Sequence, residues 1–217
     1  ISASHNPCEY NGIKIFQSTG YKLPDELENE IESIILDDAK VPPVMIGGDV
    51  GRITRSDTAA DDYIKHVLST IDVRCENLKI AIDCANGSSS VSAKRIFESL
   101  GADCIIINAE PNGVNINADC GSTHMDGLRK CVIDNHCDLG FAFVCDVGFA
   151  FDGDADRMLA VDNEGNVVDG DQVIALCAKY MKSVGTLKKD TAVVTVMSNM
   201  GFFRFCDDNG MYCEKTK

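Results

Sequence analysis

Phe151-Asp152-Gly153-Asp154-Ala155-Asp156-Arg157 sets three carboxylates on alternate residues between two apolar runs. Alternate Asp residues separated by small ones can turn several oxygens inward on a tight loop, as a hard cation such as Mg²⁺ requires. Met158-Leu159-Ala160-Val161 reads as the strand that follows. The acidic loop therefore belongs on a buried sheet, at the position where open α/β folds place ligands. A single Asp-x-Asp is usually a solvated turn. Three Asp with an adjacent Arg, set between two strands, point instead to a metal and phosphate site.

Upstream of this loop, residues 78–84 form an apolar run that reads as a buried strand. Ala85-Asn86-Gly87-Ser88-Ser89-Ser90 is a polar loop leading into a helix that ends at Leu100-Gly101, and residues 104–108 are the next strand. Strand, helix, strand in that order implies a right-handed βαβ unit and a parallel sheet. The Asn86-Gly87-Ser88-Ser89 segment resembles a phosphate cradle, although an ordinary βα connection has the same composition. Residues 111–123 make a long loop rich in turn formers, of a length that is often functional. A helix is expected from about Met125 to Asn135.

Just ahead of the acidic loop the sequence repeats. Residues 137–144 (CDLGFAFV) are followed at once by 145–152 (CDVGFAFD), identical at six of eight positions. Eight residues are too few for a solenoid unit, so this is a local tandem duplication. Only one copy can be the strand that delivers the acidic loop. The second copy runs directly into Asp152, which leaves 137–144 to bulge out as an aggregation-prone segment.

The chain opens on Ile1-Ser2-Ala3-Ser4-His5-Asn6-Pro7, a dense polar patch. A Ser beside a His could be a nucleophile with its base, a phosphate acceptor, or only a polar loop. Asn11-Gly12 signals a turn, and Ile13 and Ile15 alternate around Lys14 as in a short strand. Pro24-Asp25-Glu26 starts a helix whose stripe Leu27, Ile31, Ile34 and Ile35 is assigned to a core. Ser56 is expected to cap a second helix with apolar positions Ala59, Tyr63, Val67 and Leu68, and a domain boundary is expected near Thr70. Downstream, 162–166 is a hairpin turn. Asp169-Gly170-Asp171 precedes a helix with Val173, Ile174, Leu176, Cys177 and Tyr180 on its buried side. Residues 192–197 read as a buried strand, Ser198 as the cap of a helix over 199–208, and 212–217 as a following strand.

Composition narrows the function classes. At 217 residues the chain can bury a sizeable core, and 45% hydrophobic with 25% charged residues is ordinary for a globular protein. A formal charge of −14 with no offsetting basic patch argues against nucleic acid or an anionic membrane as partner. No apolar run approaches the ~20 residues of a membrane span. The eleven cysteines are scattered singly, without CxxC pairs or zinc spacing, and are read as reduced thiols. Cys84, Cys104 and Cys177 look like small core residues. The cytosol is the expected compartment.

Ser2-Ala3-Ser4-His5-Asn6-Pro7 with Asn11-Gly12-Ile13-Lys14 resembles the phosphoserine loop of the α-D-phosphohexomutases, and Asp152-Gly153-Asp154-Ala155-Asp156-Arg157 resembles their metal loop. Two such motifs in this order are together highly specific. Asn115-Ile116-Asn117-Ala118-Asp119-Cys120-Gly121-Ser122-Thr123 further resembles the bacterial phosphoglucosamine mutase branch rather than the phosphomannomutases. The resemblance implies that Ser4 carries the phosphoryl group, with Ser2 the weaker candidate, and that Asp152, Asp154 and Asp156 hold one Mg²⁺ that also touches the phosphoserine. It implies that Arg157 contacts phosphate near the metal, that His5 and Asn6 line the loop, and that Lys14 is the general acid/base candidate. The implied reaction interconverts glucosamine 6-phosphate and glucosamine 1-phosphate through a sugar 1,6-bisphosphate, which also serves as activator, in cell-wall precursor synthesis.

The implied fold is α/β, with three-layer α/β/α domains on mixed, largely parallel sheets. Residues 1–71 would be the C-terminal part of domain I, 72–167 domain II and 168–217 the start of domain III, with the first and third incomplete. Open sheet edges in the incomplete pieces would invite homo-oligomers. Because members of the family have four domains, the chain is expected to be incompetent for turnover alone. Three alternatives stand beside this one: a phosphomannomutase or phosphoglucomutase of the same family, a decayed fragment that only binds metal, and an EF-hand calcium loop. The last is disfavoured because Arg157 stands where such a loop needs Gly and Asn163 where it needs Glu.

Overall fold

The structure is a computed structural model and describes residues 1–37, 41–135 and 147–216. Residues 1–24 contain isolated bridges, Ser2 with Gly12 and Phe16 with Lys22, in place of the strand expected around Lys14. Helices α1 (Asp25–Leu36) and α2 (Ala59–Ser69) follow. The central sheet is built from β1 (Lys79–Asp83), β2 (Asp103–Ile107), β3 (Val147–Phe151), β4 (Met158–Asp162) and β5 (Val167–Val168), in the spatial order β2-β1-β3-β4-β5. β2, β1 and β3 are parallel, while β4 and β5 are antiparallel additions. Helix α3 (Ala93–Ser99) connects β1 to β2, and α4 (Asp126–Asp134) precedes β3 in the chain.

Residues 80–82 of β1 are buried without interruption, as expected of a central parallel strand covered on both faces. Alternation then divides its neighbours between two cores. Ala81, Ala150 and Val161 pack with Leu128 and Val132 of α4, whereas Ile80, Ile82 and Cys84 pack with Ala93 of α3 and Ala102. Phe97 stacks on Phe149 with ring centroids 5.7 Å apart. The result is a three-layer α/β/α arrangement on a mixed sheet. Beyond it, α5 (Gly170–Ser183) and α6 (Met200–Asp208) pack with the parallel pair β6 (Thr191–Thr195) and β7 (Tyr212–Thr216) around Ala178, Ala192, Val194, Phe202, Cys206 and Met211.

Several local expectations change. The α1 stripe is not core: no residue of this helix is buried, and Ile35 is 72% exposed, because no described sheet lies against it. The inward residue of α2 is Ile64, with Tyr63 exposed, and its N-cap is Thr58 rather than Ser56. In α5 the buried residue is Ala178; Ile174, Leu176, Cys177 and Tyr180 face outward. Asn199, not Ser198, caps α6 by accepting from the Phe202 N–H. β6 is buried on one face only, leaving Val193 exposed. Periodicity identifies residues that share a face, and only tertiary contact decides which face is covered. Cys84 is buried and Cys104 half-buried, as read; the described cysteines are free thiols. The first copy of the octapeptide lies outside the described residues, while β3 falls within the second copy and runs directly into Asp152. No helix among the described residues is long and apolar enough to cross a membrane.

Candidate functional site

β3 and β4 pair antiparallel with Phe151 opposite Met158, so residues 152–157 are the turn of a hairpin. The Asp152 N–H donates to the Arg157 carbonyl at 3.3 Å and the Ala155 N–H to the Asp152 carbonyl at 3.0 Å, with Ala155 in the left-handed region at φ 58°. A strand-to-strand turn excludes the helix-flanked EF-hand reading. Gly153 is pressed between two other segments. Its N–H donates to the Ser4 carbonyl at 3.0 Å, and its carbonyl accepts from the Ser88 N–H at 2.9 Å. A Cβ on Gly87 would lie 2.3 Å from the Gly153 oxygen, and one on Gly153 would lie 2.6 Å from the Ser4 oxygen.

The loop after β1 therefore buttresses the acidic turn. The Asn86 and Gly87 N–H groups go to the carbonyls of Asn108 and Cys84, so residues 86–88 spend their backbone donors inside the protein. That is a βα connection, not a phosphate cradle. Asp83, fully buried at the end of β1, accepts from the Ala85 N–H at 2.9 Å and the Gly121 N–H at 3.0 Å and ties two loops together. The sequence reading missed this residue; its signal was an acidic residue closing an apolar run. It also gave no role to Asn117, whose Nδ2 donates to the carbonyls of Ser4 and Asn6, each at 2.8 Å.

Carboxylate oxygens of Asp152, Asp154 and Asp156 lie within 4.8 Å of one another. Asp152 is buried, Asp154 half-buried and Asp156 exposed. Asp152 Oδ2 and Asp154 Oδ1 are buried without hydrogen-bond partners. Two orphaned anionic oxygens beside a third carboxylate fit a hard cation, because a buried acceptor left unpaired is costly unless a charge or donor meets it. Burial pushes the Asp152 carboxyl above its ordinary value, and the neighbouring Asp154 and Asp156 add to this, outweighing the Arg157 contacts. Burial acts in the same direction on Asp154, but hydrogen bonds from Lys14 and Ser2 outweigh it and hold that carboxyl below the usual range.

The serine loop supplies the other half. Ser2 Oγ donates to Asp154 at 2.5 Å and accepts from the Ser4 N–H at 2.8 Å. Ser4 sits at φ 52°, with its Oγ 3.4 Å from His5 Nδ1. Arg157 Nη1 lies 2.6 Å from the same nitrogen; since a guanidinium only donates, Nδ1 is the acceptor there and Nε2 carries the proton. A cation in that position, rather than a carboxylate, does not build the nucleophile, base and orienter of a hydrolase. Arg157 Nε lies 3.9 Å from Asp152 and 3.8 Å from Asp156. Lys14 Nζ is 2.5 Å from Asp154 and 3.4 Å from Asp156, and the first of these bonds raises its own pKa. Asn6 enters through its backbone, donating to the Ala3 carbonyl and accepting from Asn117. An open cavity of about 690 Å³, lined by Ser2, Lys14, Phe16, Asp154 and Asp156 among others, borders the turn.

A mixed α/β/α sheet whose acidic turn faces a strained serine loop defines the class, that of the α-D-phosphohexomutases the motifs resembled. Residues 1–42, 61–165 and 169–217 match, in order, the family models for alpha/beta/alpha domains I, II and III of phosphoglucomutase/phosphomannomutase. The chain belongs to the phosphoglucomutase/phosphomannomutase family. It is 52% identical over 216 residues to the phosphoglucosamine mutase of Clostridium beijerinckii, covering all of this chain and 46% of that protein. It is 50% identical over 217 residues to that of Desulforamulus reducens, covering 47% of it. The chain thus spans about half the length of the curated relatives it matches. A phosphoglucomutase/phosphomannomutase family protein from Burkholderia thailandensis superposes with a TM-score of 0.72 at 24% identity, over 100% of this chain and 44% of that one. A putative phosphomannomutase from Thermus thermophilus gives 0.69 at 18%, over 99% and 47%. At such identities these structures speak to the fold alone.

Proposed function

We propose that this chain carries the phosphoserine and metal loops of a phosphoglucosamine mutase, in a division of residues 1–71, 72–167 and 168–217 among three domains. The observation that carries the reading is the seating of Ser4 on the metal turn, by its carbonyl on Gly153 and through Ser2 on Asp154. The relatives at about half identity supply the choice of glucosamine phosphate over other hexose phosphates. A phosphomannomutase or phosphoglucomutase activity is the second reading, favoured by the breadth of the family that the models describe.

In this reading Ser4 Oγ carries a phosphoryl group. The bond from phosphorus to Oγ breaks as a bond to the free hydroxyl oxygen of the sugar phosphate forms, giving the 1,6-bisphosphate; the other phosphoryl group then returns to Ser4. Such transfers depend on positioning and charge neutralisation more than on covalent chemistry. Mg²⁺, held by Asp152, Asp154 and Asp156, would supply positive charge beside the transferred group. Arg157 adds a second cation and orients His5. In each transfer the proton lost by the attacking hydroxyl is matched by one gained on the departing oxygen, and Lys14, its ammonium form favoured by Asp154 and Asp156, is suited to be the acid that supplies the latter. Ser2 holds Asp154 and the Ser4 backbone, a positioning role in place of the nucleophilic one. The substrate is a phosphosugar, the compartment the cytoplasm, and neither nucleic acid nor membrane takes part.

For residues 1–217 by themselves the proposal is phosphoryl uptake without turnover. Incubation with glucose 1,6-bisphosphate and Mg²⁺, followed by peptide mass spectrometry, should show one phosphoryl group on Ser4 and none in Ser4→Ala. Uptake that persists in that variant would rule out Ser4 as the carrier. Conversion of glucosamine 6-phosphate by the purified chain would overturn its incompetence alone, and faster uptake from mannose 1,6-bisphosphate would favour the second reading.

A further inference from the structure

Asn117 is 113 positions from Ser4, in a loop whose length alone marked it as functional, and its side chain is 7% exposed. Its amide has two N–H groups, and they are divided between two carbonyls of one turn: Ser4 at 2.8 Å and Asn6 at 2.8 Å. Its own backbone is anchored on the sheet side, the N–H donating to the Ala85 carbonyl at 2.9 Å, and it occupies φ 57°, a conformation Asn tolerates better than other side-chain-bearing residues. The Ser4 carbonyl receives a second donor, the Gly153 N–H at 3.0 Å. Ser4 itself is left-handed at φ 52°, a state a serine leaves unless its surroundings hold it there.

We infer that Asn117 is a positioning residue for phosphoryl transfer: its amide clamps the backbone of Ser4 and Asn6 and so fixes where Ser4 Oγ stands over the metal turn. The inference rests on the reading of Ser4 as phosphoryl carrier. The turn over residues 3–6 closes its own bond, Asn6 N–H to Ala3 carbonyl, which leaves the carbonyls of residues 4 and 6 pointing outward. An Asp at 117 would have the same shape, no donors, and a negative charge facing two carbonyl oxygens. The side-chain hydrogen bonds of Asn117 go to Ser4 and Asn6 and to none of the three aspartates, so its effect on transfer passes through the serine loop.

Two variants test this in the 217-residue chain. Asn117→Asp removes the donors at constant shape, and Asn117→Gly removes the side chain while leaving the left-handed backbone easy to adopt. In both, hydrogen exchange of residues 1–12 should lose protection. Phosphoryl uptake at Ser4 from glucose 1,6-bisphosphate should slow by about tenfold or more, as displacement of a reacting group does. Mn²⁺ affinity at the aspartates, measured by titration, should stay at the wild-type value, which also shows that the variants fold. Wild-type exchange and uptake in both variants overturn the inference. So does a fall in Mn²⁺ affinity in step with uptake, which would make Asn117 a general support of the domain. If the unmodified chain takes up no phosphoryl group, the reading of Ser4 fails, and exchange alone still decides whether the clamp exists.

Discussion

Asp152 is 1% exposed, and one of its oxygens has no hydrogen-bond partner. Burial raises its pKa, so the folded chain binds that proton more tightly than the unfolded chain does. The stability this contributes is complete below the ordinary value of 3.8 and is lost as pH rises through the raised folded value. At neutral pH without metal the buried charge therefore weakens the fold. Asp152→Asn should stabilise the metal-free chain by about 1 kcal/mol and abolish the rise in Tm that a divalent cation gives the wild type by binding only the folded state. Thermal melts with and without Mg²⁺ check both halves; a variant with a lower metal-free Tm would show that the contacts of Arg157 with this carboxylate outweigh its desolvation. Lys14 and Ser2 place the neighbouring Asp154 in the opposite condition, with its charge already satisfied in part.

At the scale of elements, the acidic turn owes its position to backbone contact. Gly87→Ala would put a Cβ 2.3 Å from the oxygen of Gly153, a residue held on one side through its N–H and on the other through that oxygen, and something larger than a rotamer has to shift. A loss of about 2 kcal/mol is expected, together with weaker metal binding. Gly127→Ala, in α4 with nothing within 4 Å of the new Cβ, should instead be neutral or stabilise by up to about 1 kcal/mol. Urea midpoints of the two variants check the contrast, and equal midpoints would refute it. The same contacts explain what the sequence could and could not tell. The acidic turn was legible because its signal is local: alternating Asp between apolar runs. Asp83 and Asn117 were not, because each has a partner far off in the chain, 38 positions away at Gly121 and 113 at Ser4; the stretch 115–123 marked a family branch without saying what Asn117 holds. The stripes of α1 and α5 were read correctly as shared faces and wrongly as buried ones, and the helix caps went to Thr58 and Asn199 instead of the serines at 56 and 198 because a cap depends on where the first turn begins.

At the scale of the whole molecule, the accessible surface is 15,380 Å², against about 9,800 Å² for a compact monomer of this mass. Large apolar side chains exposed on that surface include Ile13, Ile35, Val193 and Tyr212. The cysteines sample both regimes. Burial pushes the Cys120 and Cys206 thiols up to about 11, while Cys177 is exposed on α5. The buried thiols hold their protons more tightly folded than unfolded. Their contribution to stability is complete below the ordinary value of 9.0 and disappears as pH rises toward 11. Iodoacetamide at neutral pH should therefore label Cys177 well before Cys120 and Cys206, and the urea midpoint should fall between pH 9 and 11. Peptide mapping of the labelled chain checks the order; simultaneous labelling would mean that the packing over Cys120 and Cys206 opens as easily as the surface.

Gly153 joins three stretches of chain that are far apart in sequence: its N–H meets Ser4, its carbonyl meets Ser88, and a side chain there would strike Ile116. The turn is therefore a keystone in the mechanical sense. Each of its neighbours can vary only within the gap that one hydrogen atom leaves. Among randomised copies of residues 152–157, variation should survive at Ala155, which is exposed, among residues that accept its left-handed backbone, such as Gly, Asn and Asp, and vanish at 153. The innermost position of the turn, which bears no chemistry of its own, is the one that drift cannot cross without moving three loops at once.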